Sequence, residues 1–182
     1  MTQPISLRSL MPSPAAGFEQ PFEMLEACHE RVHRMLTLLG RLREHLRGNG
    51  SDAQAQQAAR DVMRYFDLAA PHHHQDEELH VFPLLLAQGD ERVVGIVRRL
   101  QEDHVQMERR WAAARAVLQR VSEGAVPQFS PADDAALDAF AGTYGDHIEA
   151  EEGIVYPAAQ ALMAPDAIAR AGEEMMRRRG VK

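Results

Sequence analysis

The chain has 182 residues, 45% of them hydrophobic and 26% charged, enough for one soluble domain with a substantial core. Its formal net charge of −7 is spread along the chain, which argues against a nucleic-acid partner, since that wants a basic face. No apolar stretch approaches the roughly 20 residues needed to span a bilayer, Met1 to Gln20 lacks a secretory signal, and the single Cys28 cannot form an internal disulfide. A cytoplasmic location is the default expectation.

Residues 1–20 carry Pro4, Pro12, Pro14 and Gly17 and are expected to form an irregular leader. A first helix is predicted from about Pro21 to Arg47, with Leu25, His29, Val32, Leu36 and Leu39 on one face and Gly48-Asn49-Gly50 as its stop. A second follows Ser51-Asp52 and runs to about Ala87, with Pro71 expected to kink or break it. A third spans about Asp90 to Glu123. A fourth opens at Ser130-Pro131 and runs to about Ala164, and a short fifth covers Pro165 to Arg179. Ala, Leu, Arg, Glu and Gln dominate, and valines and isoleucines never alternate, so the fold class is all-α. Four long helices with short links predict an up-down-up-down bundle over 21–164, with 165–182 as a helix and tail across one end.

An internal repeat carries the chemistry. Phe66 … His73-His74-Gln75-Asp76-Glu77-Glu78-Leu79-His80-Val81-Phe82-Pro83 matches Phe140 … His147-Ile148-Glu149-Ala150-Glu151-Glu152-Gly153-Ile154-Val155-Tyr156-Pro157 at an offset of 74 residues. A fainter repeat, offset by 75, aligns His29 with His104, His33 with Glu108 and Leu36 with Trp111. Each half thus offers one His from its first helix and a His-x-x-x-Glu from its second. Residues four apart share a helix face, so His29, His73, His104, His147, Glu77 and Glu151 can converge inside the bundle. Buried carboxylates are costly without a compensating cation, and imidazole with carboxylate suits iron, manganese or zinc.

Glu108, one turn after His104, is a candidate further ligand, with His33 as its counterpart. His74 is expected on the rim, His80 behind the ligands or in the core, and His72 and His45 at the surface. Phe82 and Tyr156 are read chiefly as core packing, as is Trp111. The run Arg177-Arg178-Arg179 is read as a solvated helix end. Without a metal, the two carboxylates are expected to repel and their pKa values to rise.

His-x-x-x-Glu-Glu followed by an aromatic and Pro, occurring twice, resembles the hemerythrin/HHE cation-binding family over roughly residues 21–164. The resemblance implies a four-helix bundle with two irons, oxo- or hydroxo-bridged, for which zinc or manganese can substitute. It implies His29 and His73 on one iron, His104 and His147 on the other, and Glu77 and Glu151 bridging. The implied activity is binding of dioxygen, nitric oxide or azide-like anions for sensing, storage or delivery. The alternatives are a di-iron oxidase, peroxidase or nitric-oxide-reducing enzyme, or iron storage. If Glu108 completes the His104/His147 iron, small anions are expected at the His29/His73 iron. A homodimer is a further expectation. This chain departs from the oxygen carriers where Glu108 replaces a second His and where Glu151 follows His147 by four residues.

Overall fold

The computed structural model describes residues 17–181, so residues 1–16 of the expected leader lie outside the described residues. Four antiparallel rods form the bundle. The first is α1 (Pro21–Asn49). The second joins α2 (Ala53–Asp76), a π-helical turn (Glu77–Val81) and α3 (Phe82–Gln88). The third is α4 (Glu91–Ser122). The fourth joins α5 (Pro131–Ala141), α6 (Gly145–Ala150), a second π turn (Glu151–Val155) and α7 (Tyr156–Leu162), and α8 (Pro165–Arg178) follows. No strand occurs among the described residues, and none of their helices is long and apolar enough to cross a membrane.

Local signals account for the ends. Asp52 accepts from the Ala55 amide, Asp90 accepts from the Val93 amide, and Ser130 and Asp133 form a reciprocal capping box. α1 stops at Gly50, whose φ of 73° sits in the left-handed region that glycine tolerates.

Cross-rod pairs fix the antiparallel order. Arg43 near the end of α1 meets Asp134 and Asp138 at the start of the fourth rod, whereas Phe22 at the start of α1 packs edge-on to Tyr156. Likewise Asp67 accepts from Trp111 and Arg115 while Glu78, further along the same rod, accepts from Gln101.

The structure departs from expectation in three places. Helix α2 runs unbroken through Pro71. The fourth rod, expected as one helix, is interrupted at residues 142–144, where the Thr143 amide and hydroxyl both turn back to the Phe140 carbonyl. Each π turn starts at a repeat glutamate and ends just before an aromatic-Pro pair. Pro83 and Pro157 lack the N–H that would close a regular turn. The preceding amides reach back five residues instead, Phe82 to the Glu77 carbonyl and Tyr156 to that of Glu151. In an unbroken α-helix, the residue five on from Glu77 would point about 140° away from it. The wider turn lets Glu77 and Phe82, and Glu151 and Tyr156, all be buried.

The core comes in two apolar plugs. One contains Met35, Leu39, Leu42, Phe66, Leu118 and Phe140; the other contains Phe22, Leu25, Phe82, Leu85, Val97, Leu100 and Tyr156. Between them along every rod lies a polar layer, His29, His73 with Glu77, His104, and His147 with Glu151, all buried. Truncating a plug residue such as Leu100 to Ala would cost roughly 2–5 kcal/mol.

Candidate metal centre

The inner stripes explain which His point inward. On α4 they step by three and four through Val97, Leu100, His104 and Met107; on α1 they run through Leu25, His29, Val32 and Met35. After each His the step is three. Glu108 and His33, four residues on, are therefore carried off the stripe, and both are exposed.

The six remaining side chains meet. His29 Nε2 lies 2.9 Å from His73 Nε2 and 3.1 Å from Glu151 Oε2. Glu77 approaches His73 Nε2 with one oxygen and His104 Nε2 with the other, each at 3.4 Å. Glu151 Oε1 lies 2.9 Å from His147 Nε2 and 3.9 Å from His104 Nε2. Two groups of ligand atoms result, each within 4.8 Å: His29, His73, Glu77 and Glu151, and then His104, His147 and Glu151. Glu151 belongs to both. Glu108 belongs to neither and lies in the wall of an adjacent cavity.

The donor atoms are left without partners of their own. Glu77 Oε2, both Glu151 oxygens, His104 Nε2 and His147 Nε2 are buried and make no hydrogen bond. Orphaned buried polar atoms of this kind are costly. A cation would satisfy all five at once, so the residues present fit a metal.

The outer faces of the rings are held by carboxylates, and the holding crosses between halves. His29 Nδ1–H donates to Glu152 at 2.8 Å, and His104 Nδ1–H donates to Glu78 at 3.0 Å. The second Glu of each Glu-Glu pair thus orients the His contributed by the opposite half, leaving Nε2 facing inward. His147 Nδ1 reaches Asp103 at 3.5 Å. His73 Nδ1 has no partner, and Cys28, which occupies the repeat position of Asp103, is a buried thiol whose pKa burial pushes up.

The electrostatics follow from this crowding. Burial works against a charged His104, but the carboxylates of Glu151, Glu77 and Glu78 outweigh it and push the ring up to about 11. Burial likewise opposes a charged Glu151, yet His104, His147 and His29 hold it well below the usual carboxylate range. The expected rise is thus reversed at Glu151, because the imidazoles around it supply protons.

Four residues have roles that sequence spacing did not assign. Tyr156, read as packing, donates its hydroxyl to Glu77 and stacks on His29 at 5.7 Å between centroids. His74 stacks on His104 at 4.0 Å. His80 pairs with Glu174 of α8 at 2.6 Å. Asp76, beside Glu77 and fully buried, is clamped by Arg178 and Arg179, so the basic run docks α8 instead of lying in solvent. Charge complementarity around one buried acid decides that outcome, and Asp76 next to the motif was its only sequence signal.

Comparison with known proteins agrees with this geometry. A family model described as the hemerythrin HHE cation binding domain matches residues 20–159. A Haemophilus influenzae protein, described only as an uncharacterized protein, is 31% identical over 177 residues, covering 97% of this chain and 99% of that one. The repeated ligand motif, the bundle that brings its two copies together and the family match lead to one conclusion: the chain belongs to the hemerythrin HHE cation-binding domain family.

Proposed function

We propose that the layer holds two iron ions, His29 and His73 on one, His104 and His147 on the other, with Glu77 and Glu151 bridging, and that the centre binds dioxygen or nitric oxide for sensing, storage or delivery. The observation that carries this reading is the sharing of carboxylates: Glu151 lies within reach of both ligand groups, and Glu77 splits its two oxygens between His73 and His104. Zinc or manganese fits the same donor types. Iron, when bound there, would supply electrons to a diatomic ligand by cycling between ferrous and ferric states.

The chain's own part is positional. Four rings present Nε2 to one space, three of them held from behind by Glu78, Glu152 and Asp103. The apolar plugs above and below close the two ends of that space to water. Small ligands enter at the His104/His147 side, the group with fewer ligands and the one beside the cavity. That choice replaces the His29/His73 side, which was the expectation if Glu108 completed the His104/His147 iron, because Glu108 stands at the cavity wall instead of beside a ligand group.

The test is a titration of reduced, iron-loaded protein with nitric oxide and, separately, dioxygen, followed optically. A saturable change at one ligand per two irons is expected. Protein that loads two irons yet responds to neither gas would overturn the small-ligand reading.

A further inference from the structure

Among the described residues, a cavity of about 410 Å³ opens between α2 and α4, beside His104. A diatomic ligand needs far less; one water occupies roughly 10–15 Å³ on such a measure. The volume falls instead in the range of about 300–1,000 Å³ of sites for organic molecules. Ala70, the small repeat partner of Tyr144, lines the space together with that tyrosine. Phe66, Met107 and Tyr144 form a buried apolar floor, and Trp111 is half-buried in the wall. Gln75, Val105 and Glu108 are exposed at the mouth.

The charges differ in how committed they are. Glu78 is engaged by His104 and Gln101. Glu108 has no hydrogen-bond or ion-pair partner among the described residues. No Lys or Arg lines the cavity. His104 is the cationic group in the lining, and it lies at the inner end, already held by Glu78, Glu77 and Glu151. An anion at the mouth would therefore face the free carboxylate of Glu108 with no uncommitted positive charge beside it. A cation would meet an unpaired carboxylate and then aromatic faces, which attract cations. The overall charge of −7 favours the approach of a cation as well.

We propose that this cavity binds a small organic cation, a flat apolar body carrying an ammonium group, with the body against Phe66, Met107 and Trp111 and the charge at Glu108. The inference stands on the cavity and does not need the metal.

The test uses the single Trp111 as its reporter. The full chain is titrated with 2-phenylethylamine, indole and benzoate; quenching of its fluorescence follows the amine and benzoate, and calorimetry follows indole, which fluoresces in the same band. Saturable quenching is expected with the amine, weaker binding with indole and weakest with benzoate. Glu108→Gln should weaken the amine by roughly two- to fivefold, the range of an exposed charge pair, and leave indole unchanged. Ala70→Leu or Val105→Phe should weaken amine and indole together. Val105 is exposed, so that variant retains the fold even if Ala70→Leu does not. The proposal is overturned by any of four results: no saturable quenching with the amine, benzoate or indole binding as tightly as the amine, a Glu108→Gln variant with unchanged preference, or a Val105→Phe variant with unchanged affinity. A second readout, a shift of the iron-loaded optical spectrum when the amine is added, rests on the metal reading. Its failure alongside intact quenching would count against that reading and not against the cavity.

Discussion

The two halves of the repeat build the same layer from opposite sides and then finish it differently. Behind the His29/His73 group, α8 closes the bundle: Asp76 holds Arg178 and Arg179, His80 holds Glu174, and Met175 packs on Met24. The repeat partners of Asp76 and His80 are Ala150 and Ile154, so among the described residues no equivalent clamp forms over the His104/His147 group. There, the wall is the cavity and the stacked ring of His74, whose own repeat partner is the buried Ile148. Tyr156 puts a hydroxyl on Glu77, while Phe82 at the matching position only stacks on His104. A duplicated ligand set thus serves a symmetric need, and substitutions one position away make one side sealed and the other accessible.

The shared carboxylate offers the sharpest way to break this comparison. Glu151→Ala should strip metal from both groups at once, whereas Asp103→Asn should weaken only the His104/His147 side through His147. Metal analysis after dialysis decides it: retention of one metal by Glu151→Ala would mean the halves bind independently.

The sealed side has a large stability term of its own. Asp76→Asn leaves two guanidinium groups facing a buried amide, and losing one partner of a buried pair costs roughly 3–5 kcal/mol. Arg178 and Arg179 keep some solvent contact, so a value at the low end is expected in denaturant unfolding. Loss of less than about 1 kcal/mol, the surface-pair range, would show that α8 is held by its apolar face alone.

Crossed support makes a prediction that simple side-by-side halves do not. Glu152→Gln should weaken the metal at His29, and Glu78→Gln the metal at His104, each by about 10–100-fold in competition with a chelator. Mössbauer spectra of half-depleted protein report which iron leaves. If Glu152→Gln instead loosens the His147 side, the crossing is wrong.

The pH dependence is smaller and concerns the metal-free protein. Glu151 lies below its ordinary value of 4.5, so its contribution is present above that pH and fades as pH falls. His104 is raised from 6.5 to about 11, so its contribution is present below 6.5 and is lost as pH climbs toward 11. Metal-free protein should therefore melt highest between about pH 4.5 and 6.5 as far as this layer is concerned. The gap between loaded and metal-free melting temperatures should widen from pH 6.5 to 9, since metal replaces the protons on the imidazoles. A constant gap over that range would contradict the proton-sharing picture.

Much of this was legible in the sequence. The four rods, the caps at Asp52 and Ser130 and the inward six follow from helical periodicity and the repeat, which are local properties. What stayed hidden was tertiary. Glu78 and Glu152 were visible as the second member of each Glu-Glu pair, but their partners lie on the other half of the molecule. Glu108 looked equivalent to a ligand by four-residue spacing, yet a stripe that steps three after His104 turns it outward. Pro83 and Pro157 were in plain view, and their missing amides dictate the π turns that bring Phe82 and Tyr156 inward. Asp76 stands beside the motif, but no local pattern ties it to Arg178 and Arg179, about a hundred residues further along the chain.

The most direct test of a single centre shared by both halves is iron X-ray absorption on the loaded protein, paired with metal analysis. Two irons per chain with a metal–metal scattering feature within about 4 Å, the upper end of the spacing in two-metal sites, is the predicted result. One iron per chain, or two irons with no metal–metal feature in that range, would contradict it.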